Sequence, residues 1–298
     1  CTFCVVPFTR GRERSRDPKS ILAEIKQLEQ NGYKEVTLLG QNVDSYLWYG
    51  GGLKKDFKKA SDIQKKTSIN FAKLLDIVAK SFPKFRIRFT TSNPQDMDNE
   101  VLITMKAHKN ICNHIHLPVQ SGSDKILKEM NRQHTREEYL NLVSEIKTIL
   151  PDCGISQDMI TGFPNETEKD HSDTLSLMNL VKYDFGFMFK YSERPGTLAS
   201  RKLDDNIPEE IKQRRLSEII DLQFKHSFEN LSNYVKKTTV VLIEKESKKS
   251  KGFWAGRNEQ NIMVVFPKED FKSGDFVEVL VEENTATTLK GLGLNKII

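Results

Sequence analysis

Helical spacing and short apolar runs alternate through the first two thirds of this chain. The first helix is predicted to begin at Pro18, where apolar residues recur at spacings of three and four, and to stop at Gly32. A buried strand over residues 36–39 follows it. Because alternating helices and buried strands build a parallel sheet with crossover helices, the pattern predicts an α/β fold arranged as a full or partial barrel.

The same helix and strand unit recurs further along the chain. Thr135 and Glu138 form a capping box at the start of one of these helices. The strands end in Gly, Ser, Asn, Gln or Pro, and in parallel barrels the active site lies at the carboxyl ends of the strands. The polar span 51–69 has little periodicity and is predicted to be a loop insertion. Further helices are predicted over 70–81, near 98–106, from Thr135, over about 167–182 and from about 208 to 233, with strands over 86–90, 115–119, 154–160 and 185–190.

From Thr238 the apolar period changes to two. Strands are predicted over 239–243, 261–266, 275–281 and 287–294. Several short strands separated by turn residues predict a small β-barrel, of a kind that often binds nucleic acid. We therefore expect two domains, a partial barrel over residues 1–233 that includes a long linking helix, and an all-β barrel over residues 234–298.

Composition limits the class of protein. Of the 298 residues, 37% are hydrophobic and 29% charged, which is typical of soluble globular proteins. No apolar run approaches the roughly 20 residues that span a bilayer, so no membrane association is expected. Four cysteines in a chain of this length do not suggest a secreted disulfide scaffold, and a reducing, cytoplasmic compartment is predicted.

The net charge of +5 does not by itself imply a nucleic-acid partner, but basic residues cluster in two stretches. For either stretch taken alone, a solvated face is the commoner explanation. The clusters are Arg10, Arg12, Arg14 and Arg16, and then Lys236, Lys237, Lys245, Lys248, Lys249, Lys251 and Arg257.

The chain begins with a pair of thiols, Cys1 and Cys4, separated by two residues. This spacing suits half of a zinc site, a redox dithiol or half of an iron–sulfur site, and the spacing alone leaves all three open. Cys112 and Cys153 lie next to predicted strands and are interpreted as small buried hydrophobic residues.

A set of motifs follows the thiol pair along the chain, several of them at the ends of predicted strands. With residues 1–4, these motifs are residues 7–11, 38–46, 91–94, 116–123, 158–164 and 191–197. Through them the chain resembles, over essentially its whole length, the radical S-adenosylmethionine methylthiotransferases. The terminal β segment is similar to a TRAM domain, an RNA-binding barrel. The sequence Gly40-Gln41-Asn42 favours the transfer-RNA branch of the family over the ribosomal-protein branch.

The resemblance implies a 4Fe–4S cluster bound by Cys1 and Cys4, which match the last two cysteines of the family's CxxxCxxC motif. The third cysteine and the first barrel strand would precede Cys1, and an N-terminal domain would hold a second cluster, so the chain is interpreted as a fragment of a longer enzyme. The open iron would chelate S-adenosylmethionine. Its cleavage would yield a radical that removes hydrogen from C2 of N6-isopentenyladenine beside the tRNA anticodon, where a methylthio group replaces it.

The resemblance and the strand-end positions together suggest further cofactor contacts. Gly40 and Gln41 would present backbone to the methionine amine. Ser92, Gln120 and Asp158 would bond ribose and carboxylate groups, or each would have a structural role at its strand end.

Three aromatic or histidine positions keep alternatives open. Phe3 would pack near the adenine or shield the cluster. His116 invites a catalytic role, but a histidine inside an apolar strand is more often a hydrogen-bonded core residue. Trp254 would stack on a base or cap the small barrel.

The predicted partners are tRNA and an electron-donating reductant such as flavodoxin or ferredoxin, and the protein is expected to be a monomer. The RNA contacts are predicted at Arg10, Arg12, Arg14, Lys237, Lys249, Lys251, Trp254 and Arg257.

Three other functions compete with this one. Two are related methylthiotransferases, acting on threonylcarbamoyl-adenosine in tRNA or on a ribosomal-protein aspartate. The third is a non-catalytic RNA-binding protein whose CxxC holds structural zinc, which would leave the polar strand ends without a purpose.

Overall fold

The computed structural model describes residues 1–297. Two 3-10 helices lie at Val43–Ser45 and Lys54–Lys59. The helices are α1 (Val6–Arg10), α2 (Pro18–Gln30), α3 (Asp62–Lys66), α4 (Phe71–Ser81), α5 (Asn99–Ala107), α6 (Asp124–Glu129), α7 (Arg136–Ile149), α8 (Glu168–Val181), α9 (Leu198–Lys202) and α10 (Glu209–Ser232). The strands are β1 (Glu35–Leu39), β2 (Leu47–Trp48), β3 (Ile69–Asn70), β4 (Arg86–Thr90), β5 (His114–His116), β6 (Gly154–Thr161), β7 (Phe185–Lys190), β8 (Thr238–Glu246), β9 (Phe253–Arg257), β10 (Met263–Pro267), β11 (Phe276–Asn284) and β12 (Thr288–Lys296).

Parallel strands form the first domain in the order β1-β4-β5-β6-β7. Pairing is parallel between β1 and β4, between β5 and β6, and between β6 and β7. The sheets β1-β4 and β5-β6-β7 adjoin through two bonds that involve residues flanking these strands, from Cys112 N to Ile87 O at 2.9 Å and from Ser92 N to His116 O at 3.1 Å. Within residues 1–297, no strand pairs with the outer edge of β1 or β7. The predicted partial α/β barrel is confirmed.

The helices cover the outer face of this sheet. Alternate strand residues such as Ile87, Ile115 and Met159 are fully buried in one apolar core with the inward faces of α4, α5, α7 and α8. The predicted capping box at α7 is present, because Thr135 N donates to Glu138 Oε2 at 2.7 Å and Glu138 N donates to Thr135 Oγ1 at 3.2 Å. No helix of the described chain is both long and apolar enough to cross a membrane.

The strand predicted over 115–119 is shorter than expected. It ends at His116, and Leu117 N still donates to Ser156 O at 2.7 Å. Pro118 has no N–H to donate. The next bond to β6 comes from Gln120 N to Asp158 O at 2.9 Å, so the regular spacing of the ladder is lost after Leu117.

The span predicted as a loop insertion over 51–69 is instead an ordered lobe. The β2–β3 hairpin closes it, and the 3-10 helix at Lys54–Lys59 and α3 lie within it. Buried Tyr49 packs on Phe57 with ring centroids 5.2 Å apart, which gives the lobe a small core of its own. Glycines 50, 51 and 52 all have positive φ and turn the chain where a side chain would be strained. We call residues 47–70 the lysine lobe.

The second domain is a closed five-stranded barrel in the order β10-β12-β11-β8-β9. Four of its strands lie where the period of two predicts them, and β9 was not predicted because Gly256 interrupts its apolar pattern. A Cβ at Gly256 would lie 2.0 Å from Leu242 O, so the strands approach too closely there for any side chain. Val264, Phe266, Val277 and Val279 fill the barrel core.

Two arginines of β4 join the domains at the amino-terminal end of the parallel strands. Arg88 is buried and donates to Asn258 O at 2.6 Å, Glu259 O at 3.0 Å and Glu35 Oε2 at 2.9 Å. Arg86 donates to Arg257 O at 2.7 Å and to Val240 O at 3.2 Å. The second domain therefore closes the end of the partial barrel opposite to the carboxyl ends of its strands.

Candidate active site

Along each parallel strand, every second residue points outward into the apolar core, and the residues between them point to the inner face of the partial barrel. On β7, Met188 packs outward, so Phe187 points to the inner face, where its ring lies 6.0 Å from that of His116. The remaining inner residues follow by the same alternation. They are Thr37, Leu39, Arg88, Thr90, His114, Ser156, Asp158, Phe185 and Phe189.

The CxxC loop is fixed at the carboxyl end of this face by backbone bonds. Thr2 N donates to Met130 O and Ala199 N donates to Thr2 O, both at 2.9 Å. Phe3 packs edge-on against Phe163, with centroids 6.1 Å apart, in a cluster that also contains Tyr191. This contact agrees with the shielding alternative for Phe3. Cys1 is exposed and Cys4 half-buried, and both thiols are free.

Arg132 is a site residue that the sequence did not single out. Burial lowers the pKa of its guanidinium, while the nearby Asp158 carboxylate and, more weakly, the nearby Cys4 sulfur oppose that shift. Its Nε is buried and has no hydrogen-bond partner among residues 1–297. Arg132 thus brings an unsatisfied cationic donor to the cysteines. The available signal was a single arginine between α6 and the α7 capping box.

Gln120 follows β5 and is adjacent to Asp158, which lies within β6 and not at its predicted strand end, because β6 continues to Thr161. Gln120 N donates to Asp158 O at 2.9 Å, and Gln120 adopts φ of 76°. The Asp158 carboxylate lies 3.3 Å from His116 Nε2, and His116 Nδ1 lies 2.9 Å from Ser156 Oγ. His116 is therefore a buried, hydrogen-bonded histidine, as the core interpretation expects. Burial, reinforced by Arg88, lowers the pKa of neighbouring His114 to about 3.

The loops after β1 and β4 meet around a buried carboxylate. Ser92 Oγ donates to Asp44 Oδ1 and Asn93 N donates to Asp44 Oδ2, both at 3.2 Å. Burial raises the pKa of Asp44 to about 7 despite these donors. The Ser92 hydroxyl is thus already engaged within the protein. Gly40 and Gln41 remain exposed on the rim.

A cleft of about 710 Å³ runs beside the free edge of β1, between α2 and residues 10–16. Gly40 and Gln41 are among its lining residues, whereas Cys1 and Cys4 are not. The cleft therefore adjoins the inner face without containing the thiols.

Phe187 and Phe189 leave 52% and 54% of their surface exposed on the inner face. Two exposed aromatic rings at alternate positions of one strand of a concave sheet offer an apolar wall to a bound molecule. The sequence signal was phenylalanine at every second position of β7.

Comparison with known protein families identifies both domains. The Radical SAM superfamily matches residues 1–178, and the TRAM domain matches residues 233–292. The chain belongs to the radical SAM superfamily. Its fold is accordingly a radical SAM partial barrel followed by a TRAM barrel.

This radical SAM chain also has close curated relatives, each named tRNA-2-methylthio-N(6)-dimethylallyladenosine synthase. The protein from Christiangramia forsetii is 67% identical over 98% of this chain and 60% of its own length. Those from Flavobacterium psychrophilum and Bacteroides fragilis are 64% and 52% identical over 98% of this chain, and over 60% and 61% of their own lengths. The chain therefore spans about 60% of the length of these relatives. Among solved structures, methylornithine synthase (PylB) is 17% identical with a TM-score of 0.48, covering 76% of this chain and 58% of that one.

The radical SAM superfamily implies a 4Fe–4S cluster and S-adenosylmethionine. The free thiols of Cys1 and Cys4 and the unsatisfied Nε of Arg132 suit such a site. Within residues 1–297, however, no three His, Cys, Asp or Glu side chains are grouped to hold a metal. Cys112 and Cys153 are buried, as predicted, and burial raises both thiol pKa values, that of Cys112 to about 12.

The predicted RNA contacts of this radical SAM chain divide into free and engaged side chains. Arg257 forms an ion pair with Glu244 at 2.8 Å. Trp254 Nε1 donates to Lys268 O and Phe271 O, both at 3.1 Å, and its ring packs on the small barrel's core, which agrees with the capping alternative. In the part of the chain that the structure describes, no salt bridge engages Arg10, Arg12, Arg14, Lys237, Lys249 or Lys251.

Proposed function

We propose that this protein is a radical S-adenosylmethionine methylthiotransferase that converts N6-isopentenyladenosine next to the tRNA anticodon to its 2-methylthio derivative. The observation that carries the proposal is the fixed CxxC loop beside Arg132 and Asp158, at the carboxyl ends of parallel strands. The TRAM barrel and the shared name of relatives up to 67% identical support tRNA as the substrate.

In this proposal Cys1 and Cys4 supply two thiolates to a 4Fe–4S cluster. A third cysteine and a second cluster would come from sequence beyond these residues, as the greater length of the relatives permits. When bound, the cluster supplies the electron that cleaves S-adenosylmethionine. The remaining work of the chain is to bind and orient the two substrates and to keep water away.

Residues in and after the parallel strands have side chains or backbone groups that suit the binding of S-adenosylmethionine and of the nucleotide. The free Nε of Arg132 suits a carboxylate, because guanidinium donors bind carboxylates strongly. The backbone of Gly40 and Gln41 would receive the methionine amine, and Gln120 and Asp158 the ribose. Ser92 would join them only by exchanging its bond to Asp44. Phe187 and Phe189 would pack on the isopentenyl group and exclude water.

The reductant, flavodoxin or ferredoxin, and the monomeric state stay predictions, as does the cytoplasmic location. The RNA contacts at Arg10, Arg12, Arg14, Lys237, Lys249 and Lys251 are proposals that rest on exposed, unpaired cations.

The proposal is tested by deleting the gene for the full-length protein in its host and measuring the nucleosides of digested tRNA by mass spectrometry. The 2-methylthio-N6-isopentenyl nucleoside should disappear while its unthiolated precursor accumulates. A gene carrying Cys4→Ser should fail to restore it. A gene carrying Cys112→Ala, a matched change at a buried thiol away from the loop, should restore it.

Persistence of that nucleoside with loss of the threonylcarbamoyl derivative would retain the enzyme class and replace the substrate. Persistence of every methylthio nucleoside would reject the proposed function. A colourless purified protein with bound zinc would favour the non-catalytic alternative.

A further inference from the structure

The lysine lobe carries an excess of positive charge that the fold leaves unneutralised. Six lysines lie in it against two acids, Asp56 and Asp62. Only Lys54 has an acidic partner in the described chain, Asp96, at 3.3 Å. The other five lysines are exposed, and they are Lys55, Lys58, Lys59, Lys65 and Lys66.

These lysines are carried on fixed backbone. Tyr49 is 8% exposed, and its hydroxyl donates to Leu53 O at 2.7 Å. Ser61 and Gln64 form a capping box that starts α3. The aromatic packing, the capping box and the β2–β3 pair hold the backbone of the lobe in place. The backbone therefore keeps the like-charged lysines close together despite their mutual repulsion.

The lobe lies at the rim of the candidate site. Leu53 bridges to Arg14 as an antiparallel pair, and Leu47 N donates to Ser15 Oγ at 2.8 Å. Lys54 contacts Asp96, which also accepts a bond from Asn42 of the β1 loop at 2.7 Å. The lobe therefore adjoins, at Arg14 and Ser15, the segment that also carries Arg10 and Arg12.

We propose that the lysine lobe binds the phosphate backbone of the tRNA next to the nucleotide held at the site. This inference rests on the proposed function, and it adds a contact surface separate from the TRAM barrel. Compact ammonium charges suit phosphates and carry no base specificity. A protein partner would need an apolar interface core, and the lobe exposes one large apolar side chain, Ile63.

The test measures tRNA affinity against salt concentration. The full-length protein is titrated with a tRNA transcript that has adenosine after its anticodon. One variant changes Lys55, Lys58, Lys59 and Lys65 to Gln, and a second changes the same four to Arg. A control variant changes four exposed lysines outside the lobe to Gln, namely Lys84, Lys106, Lys109 and Lys225.

Each phosphate contact contributes about 0.7–0.9 to the slope of log affinity against log salt, so the lobe Gln variant with four charges removed should lose about 3 from this slope, with the largest loss of affinity at low salt. The Arg variant and the control should keep the slope. Trp48, inside the lobe, reports by fluorescence that the lobe remains folded.

Equal slopes for the unaltered protein and the lobe Gln variant would overturn this inference and leave the proposed function standing. Equal loss in the lobe and control Gln variants would also overturn it, since net charge would then explain the effect. Failure of the unaltered protein to bind tRNA would reject the inference together with the proposed function.

Discussion

Replacing Arg88 by Met should uncouple the two domains. The guanidinium donates to Asn258 O and Glu259 O of the second domain and to Glu35 of β1, and the side chain is 8% exposed. Met keeps much of the apolar stem but leaves two carbonyls and a carboxylate without their donor. Removing one partner of a buried charged network costs about 3–5 kcal/mol, so we expect a loss of that size in the free energy of unfolding.

Urea unfolding followed by tryptophan fluorescence measures this loss. The chain has two tryptophans, Trp48 in the lysine lobe and Trp254 in the TRAM barrel, so single-tryptophan variants follow each domain separately. We expect the two transitions to coincide in the unaltered protein and to separate in Arg88→Met. The control is Arg194→Met, which changes an exposed arginine. A loss below about 1 kcal/mol, with coincident transitions, would refute the assigned role of Arg88.

Two further predictions concern the strand-end loops. Burial raises the pKa of Asp44 to about 7 from an ordinary 3.8, so the folded state holds this proton more tightly than the unfolded chain does. The unfolding free energy should therefore fall as pH rises from about 4 to 7, by on the order of 4 kcal/mol at most, and Asp44→Asn should remove this dependence. The check is the urea midpoint of the unaltered protein and of Asp44→Asn, each measured at pH 5 and at pH 8. If the midpoints of the two proteins differ by the same amount at both pH values, the prediction is contradicted. At Gly122 an added Cβ would lie 2.5 Å from Asp173 O, so Gly122→Ala should destabilise the fold by about 1–3 kcal/mol, and Ser172→Ala on the exposed side of α8 should not. Equal thermal unfolding midpoints for Gly122→Ala and Ser172→Ala would contradict this prediction, because they would show that α8 can shift to accommodate the added methyl group without loss of stability.

Gly122 shows how a motif can be recognised for the wrong reason. It lies in the stretch 116–123 that resembles the family's strand-end motif, yet its amide donates to Thr174 Oγ1 at 2.9 Å and it sits under the backbone of α8. The glycine is needed for helix packing. The sequence identified the position, and the structure supplied the physical reason.

Elements with strong local patterns were predictable. Strand β4 occupies the predicted residues, and α4 and α7 differ from prediction by about one residue at their ends. Periodicity and capping act over three or four residues, so the sequence contains the whole signal. The lysine lobe was missed because its order depends on one aromatic contact, Tyr49 with Phe57, and on turns at glycine.

The candidate site was predictable in part. The cysteines and the strand-end residues follow from spacing and family resemblance, because liganding motifs are local. Arg132 and the exposed rings of Phe187 and Phe189 were not, because their importance depends on what lies opposite them. For Trp254, the partners that occupy its indole N–H are 14 and 17 residues away.

The order of residues along the chain was enough to predict most of the helices and strands, the presence of a second, all-β barrel, the thiol pair and the family. These properties depend on neighbours along the chain. Tertiary structure decided which cations are free and which are engaged. Arg88 meets Asn258 across 170 residues and Arg257 is neutralised by Glu244, while among residues 1–297 only Lys54 of the lobe lysines has an acidic partner. Charge pairing depends on distances through space, and the order of residues does not specify those distances until the chain has folded.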